Sequence, residues 1–126
     1  VAVTYIDILS FAKDCINRDD EVGYRNAISR AYYAAYHCVY PLIRYGPKGS
    51  HQGLINYLLQ ADSAKKESCN KKTLLALAYA MQNLKGMRVI ADYSLNNENM
   101  NKVNASSSII TSEKLINKIK EIKSKK

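Results

Sequence analysis

The chain has 126 residues, 47% of them apolar and 24% charged, and a formal net charge of +8. That length fits one domain and supports a core without disulfides or metal, and the ordinary apolar share excludes a wholly disordered chain. The three cysteines, Cys15, Cys38 and Cys69, are odd in number and form no C-x-x-C pair. Neither a disulfide framework nor a zinc site is expected, no cofactor is expected, and a reducing, cytoplasmic setting is the simple reading.

No basic segment precedes an apolar run, so no signal peptide is expected. The longest apolar run, residues 74–81, is too short to span a bilayer. The charge is uneven. Residues 1–64 balance, whereas residues 65–88 set Lys65, Lys66, Lys71, Lys72, Lys85 and Arg88 against Glu67 alone, and residues 113–126 are basic again. A basic surface of this kind suits a polyanion such as RNA. Lysine-rich segments that only keep a protein soluble read the same way.

In chain order, TYIDILSFAKDCI (residues 4–16) places Ile6, Leu9 and Lys13 at helical spacing, with Thr4 as N-cap three residues before Asp7. NRDDEVG is a polar break, after which Asp19 or Asp20 caps a long second helix running to about Arg44. Gly46, Pro47 and Gly49 end it, and Ser50 caps a third helix over HQGLINYLLQA. DSAKKESCNKK (residues 62–72) reads as a polar connection. A fourth helix follows from about Thr73 to Tyr93, with Leu74, Leu77, Ala78 and Met81 as its inner stripe. Residues 96–111 read as an Asn/Ser-rich loop. Residues 112–126 read as a basic amphipathic helix, packing on or extending the bundle, with Leu115, Ile116, Ile119 and Ile122 on one side. No strand alternation or internal repeat competes. The expected fold is all-α, an up-down bundle of four or five helices with residues 1–95 as the bundle proper.

The second helix carries Tyr32, Tyr33, Tyr36 and Tyr40 between alanines. On a wheel of about 100° per residue, Ala31, Tyr32, Ala35, Val39 and Leu42 fall near Ile28 as a core stripe. Arg30 and His37 fall on the far side, with Tyr33 and Tyr40 beside them. A helix apolar nearly all round is buried on two sides, one against the bundle and one against a further helix or a second subunit. Tyr33 can stack on the Arg30 guanidinium, or its hydroxyl can donate a hydrogen bond on the same face. Such a face can hold a phosphate, with Arg clamping two oxygens and His moving a proton near neutral pH. A structural ion pair and a satisfied interior histidine would give the same spacing. On the fourth helix Arg88 and Asp92 continue the inner stripe, so Asp92 is expected to reach Arg30, Arg88 or both.

Three segments, SRAYYAAYH (residues 29–37), SHQGLINYL (residues 50–58) and MRVIADYSL (residues 87–95), together resemble the HEPN family. The resemblance covers about residues 5–95. It implies a small all-α bundle, often a homodimer, of prokaryotic toxin–antitoxin and anti-phage defence systems. It also implies a metal-independent endoribonuclease, in which an Arg and a His separated by four to six intervening residues act on RNA. By that resemblance Arg30 and His37 are the catalytic pair, with Arg88, Asp92 and Tyr93 shaping the site. Lys65, Lys66, Lys71, Lys72 and Tyr33 would bind RNA. The chain departs from the pattern in that the Arg30–His37 pair lies on the second helix, with Ala31 where a polar residue often follows the Arg, and Arg88 is followed by Tyr93 where a His is usual. Non-catalytic HEPN modules bind RNA or a partner protein, and some are partnered by a nucleotidyltransferase-type antitoxin that modifies a tyrosine, for which Tyr93 is the candidate here. His51 resembles a recurring family position and is read as a helix-start residue bonded to the turn.

Overall fold

The computed structural model describes residues 2–124 and is all-α: among the described residues no strand occurs. Its helices are α1 (Tyr5–Asn17), α2 (Glu21–Val39), α3 (His51–Leu59), α4 (Ser63–Glu67), α5 (Lys71–Tyr93) and α6 (Lys102–Ser124), with a 3-10 turn at Tyr40–Leu42 after α2. No described helix is long and apolar enough to cross a membrane.

The starts follow from capping chemistry. The Thr4 N–H donates to the Asp7 carboxylate at 2.8 Å, Asp20 accepts from the Gly23 N–H at 2.8 Å, and Ser50 accepts from the Gly53 N–H at 2.9 Å. Each side chain satisfies a backbone donor that has no partner inside its helix. A Cβ on Gly23 would run into the Cys15 carbonyl, so only glycine lets the start of α2 lie this close to α1. The regular part of α2 stops at Val39 instead of continuing to Arg44. Pro41 has no N–H to donate, and the chain tightens into the 3-10 turn there.

The central helix is α2, packed against α1, α5 and α6. Ile28, Ala31, Tyr32, Ala35 and Val39 are fully buried, as the wheel predicts. The other apolar side of α2 is covered by the chain's own α1 and α6, so no second subunit is required to bury it. On α5, Leu74, Leu77, Ala78 and Met81 are buried, and Leu84 joins them. Cys38 is buried as core packing, and all three cysteines are free.

Two expectations are corrected. The Asn/Ser-rich segment 96–111 is a loop only before Lys102, and the rest is the first half of α6. Ala105, Ser108, Ile109 and Ser112 recur at helical spacing and are buried. The small side chains of Ala105, Ser108 and Ser112 let α6 lie close to α2, and the Ser112 hydroxyl donates to the Ala31 carbonyl at 2.8 Å. The last helix therefore spans Lys102–Ser124, not 112–126, and residues 125 and 126 lie outside the described residues. The polar connection 62–72 contains α4 and a buried carboxylate, Glu67.

Candidate functional site

The aromatic side of α2 meets the start of α3 and the last turns of α5. Tyr32 is fully buried, and its hydroxyl is hydrogen-bonded to Nδ1 of His51, the first residue of α3. The His51 ring stacks on Tyr36, with centroids 4.0 Å apart and planes 19° from parallel. Tyr33 stands edge-on to both Tyr32 and His51, at 5.3 and 6.1 Å.

Arg88 of α5 lies over these rings. Its Cζ is 5.3 Å from the Tyr32 centroid and 5.6 Å from that of Tyr33, within cation–π range. Nη1 is 3.4 Å from the Asp92 carboxylate and 3.5 Å from the Tyr33 hydroxyl. Asp92 also accepts from the Ser29 hydroxyl at 3.2 Å, tying α2 to α5. Arg88 Nε is buried without a hydrogen-bond partner. Arg30 places its guanidinium 5.0 Å from the same Tyr33 ring. Among the described residues its one hydrogen bond goes to Ser29 Oγ at 3.4 Å, and no carboxylate lies within ion-pair distance of it. Two guanidiniums therefore converge on one phenol ring with a single carboxylate between them.

The field acts on the neighbouring groups. Burial, then the positive charges of Arg88 and Lys85, then His37, hold the His51 imidazole below its ordinary pKa. That shift favours the neutral form of the imidazole over the charged one. Burial pushes the Tyr32 phenol far above its usual range, so it stays protonated. Lys85, one turn before Arg88, donates to the Gln52 side chain at 2.8 Å and adds a cation at the edge. Among the described residues no three His, Cys, Asp or Glu side chains gather to ligate a metal.

Arg30, Arg88, Asp92 and Tyr33 thus share one site, and the Arg88–Asp92 pair forms as the spacing predicts. His37 does not join them. It is exposed, edge-on to Tyr36 at 5.5 Å, and borders a hollow with Val3, Tyr5 and Ile8 that has no arginine in its lining. Tyr93 is 74% exposed and stands apart. Lys65 and Lys66 lie on α4 and Lys71 and Lys72 open α5, roughly 25 Å along the helix from Arg88 at 1.5 Å per residue. They form a separate basic end, where Lys66 pairs with Asp62 at 3.3 Å and Lys71 bonds the Gln60 carbonyl.

His51, Ser29, Tyr32 and Tyr36 are the members that helical spacing within α2 and α5 does not reveal. A signal existed: a tyrosine on a core stripe has a hydroxyl that needs a buried partner. Compared with protein-family models, curated proteins and solved structures, the chain has no match.

Proposed function

We propose that the chain is a HEPN-type, RNA-targeting helical bundle whose phosphate-binding centre is Arg30 and Arg88 over Tyr33. The observation that carries this reading is the surplus of positive charge: two guanidiniums on one ring and one carboxylate, Asp92, to share. A phosphodiester supplies the missing anion. The arginine fork matches its oxygens, and Tyr33 adds an aromatic edge for an unpaired base.

In this reading the protein is a metal-independent endoribonuclease of the toxin-like kind. The RNA 2′-OH attacks the adjacent phosphorus, and a neutral imidazole takes its proton. The arginines offset the charge that grows on the phosphoryl oxygens, and the P–O5′ bond breaks as the 5′-oxygen takes a proton from water, leaving a 2′,3′-cyclic phosphate. His51 is the imidazole beside Arg88, and it takes the place that spacing assigned to His37. A cytoplasmic homodimer facing two such centres, and a nucleotidyltransferase-type partner, belong to the same proposal. The second reading is a non-catalytic module that binds RNA or a partner protein. The bond between His51 Nδ1 and the Tyr32 hydroxyl favours it, because it fixes the ring as a strut.

The test is incubation with a mixed RNA pool in EDTA, beside Arg30→Ala, His51→Ala and His37→Ala proteins checked for helix content. Cleavage by the wild type is expected to fall at least about 100-fold in the first two variants and to persist in the third. RNA retention without cleavage selects the second reading. A wild type that neither binds nor cleaves RNA removes the ribonuclease reading and leaves only the partner-protein form of the second.

A further inference from the structure

A groove follows the outer side of the α5–α6 contact, on a different part of α5 from Arg88. Its middle is floored by Ala76, Leu77, Ala80 and Leu115, with Lys114 and Lys118 at the rim, and holds about 350 Å³. At Thr111 and Lys114 it adjoins a second, shallower hollow of about 630 Å³ lined by α6 alone, with Lys102, Val103 and Ile110. In the other direction it continues past Lys118 to Thr73 and Glu121. Val103 is 76% exposed and Ile110 51%, so apolar surface is left uncovered on the wall as well as on the floor. From Lys102 to Glu121 the groove tracks α6 for roughly 29 Å, about five helical turns.

We propose that this groove is the docking site of an acidic amphipathic helix from a partner protein. The length fits one such helix, and the apolar floor takes its hydrophobic edge as ridges enter grooves. Charge complementarity decides the sign of the partner. The rim carries Lys102, Lys114 and Lys118, and the one carboxylate in the lining, Glu121, sits at one end, 3.9 Å from Lys118. Glutamates flanking the apolar edge of an incoming helix would meet these lysines. A second copy of this chain would set lysine-rich α6 against the same lysines, at a net charge of +8 on each copy. Single-stranded nucleic acid is held by stacking aromatics and arginines, and the lining has neither. The inference does not depend on the RNA reading of the Arg88 centre.

The experiment uses the full chain and a labelled synthetic 18-residue helix, Leu and Ala on one face and Glu on the other, followed by fluorescence anisotropy. Micromolar binding is expected, weakening as salt rises. Ala80→Glu, at a partly buried position on the groove floor and checked for unchanged helix content, should weaken it at least 10-fold. So should the double variant Lys114→Glu with Lys118→Glu, which should in turn bind the same peptide with Lys in place of Glu. Equal binding of a scrambled peptide, or an affinity untouched by Ala80→Glu, overturns the proposal. So does a wild-type dimer that Ala80→Glu dissociates, which makes a second copy the occupant. Displacement of the peptide by RNA, with RNA affinity lost in the same variants, overturns it in favour of nucleic acid.

Discussion

Arg25→Ala is expected to cost about 3–5 kcal/mol of folding stability, the largest single loss in the chain. Arg25 is 7% exposed. Its Nε donates to Glu21 at 3.0 Å. Nη1 donates to the Ala91 carbonyl at 2.9 Å and to that of Ser94 at 3.1 Å, and Nη2 to those of Leu95 at 3.1 Å and Asn97 at 2.9 Å. These are the carbonyls left over where α5 ends, so one guanidinium caps that helix and fixes the loop after it. A cation there also meets the negative end of the helix dipole. Removing it strands several half-buried acceptors at once, and water reaches only some of them. Arg25→Lys should recover less than half, since an ammonium has no planar fork to span both sides of the loop. Denaturant unfolding measures the loss as a lower midpoint at constant slope. A cost under about 1 kcal/mol would mean that the loop is held by other contacts. Because Asp92 adjoins the capped carbonyls, the same variant should also loosen the Arg88–Asp92 pair.

Glu67→Ala ranks second, at about 2–4 kcal/mol. The carboxylate is 5% exposed and accepts from the Arg44 N–H at 2.8 Å, the Tyr45 N–H at 2.9 Å and the Tyr57 hydroxyl at 2.6 Å. It therefore satisfies the backbone where the chain leaves the 3-10 turn, and so sets the path that carries His51 to Tyr32. Burial alone would raise the Glu67 pKa. The hydrogen bonds from Arg44, Tyr57 and Tyr45, with the Lys48 charge, outweigh it and hold the group below its ordinary 4.5. A carboxylate with a depressed folded pKa stabilises the protein above its unfolded value, and that contribution is lost as pH falls through the folded value. The stability gap between wild type and Glu67→Gln should thus be full at pH 7 and shrink below about pH 4.5. A gap independent of pH down to pH 3 would contradict the assignment.

The fold was legible wherever local chemistry decides it. Thr4, Asp20 and Ser50 announce their helices, and the stripes of α2 and α5 bury the residues that a 100° wheel selects. It was illegible where composition and period disagree. Serine and asparagine suggest a loop at 96–111, but Ala105, Ile109 and Ser112 keep helical spacing and are buried, Ala105 and Ile109 in one cluster with Ala27 and Ala31 of α2. Glu67 reads as one more charge in a polar run, since its donors come from residues far back in the chain. Arg25 falls about 60° from Ile28 on the wheel, inside the apolar stripe, and a charge there signals a buried partner. The site divides along the same line. Arg88–Asp92 is a contact between residues four apart on one helix, and it was readable. That His51 and not His37 packs beside Tyr32 and Arg88 depends on how the Gly/Pro turn returns the chain, which spacing along one helix does not encode.

The central claim is that Arg30, over Tyr33 and without a carboxylate of its own, receives an RNA phosphate. The most direct test is the affinity for a short single-stranded RNA measured across salt concentrations for the wild type and Arg30→Ala. The variant is expected to bind more weakly, with a log–log salt slope shallower by about 0.7, one phosphate contact on a single strand. An affinity and a slope that Arg30→Ala leaves unchanged would contradict it.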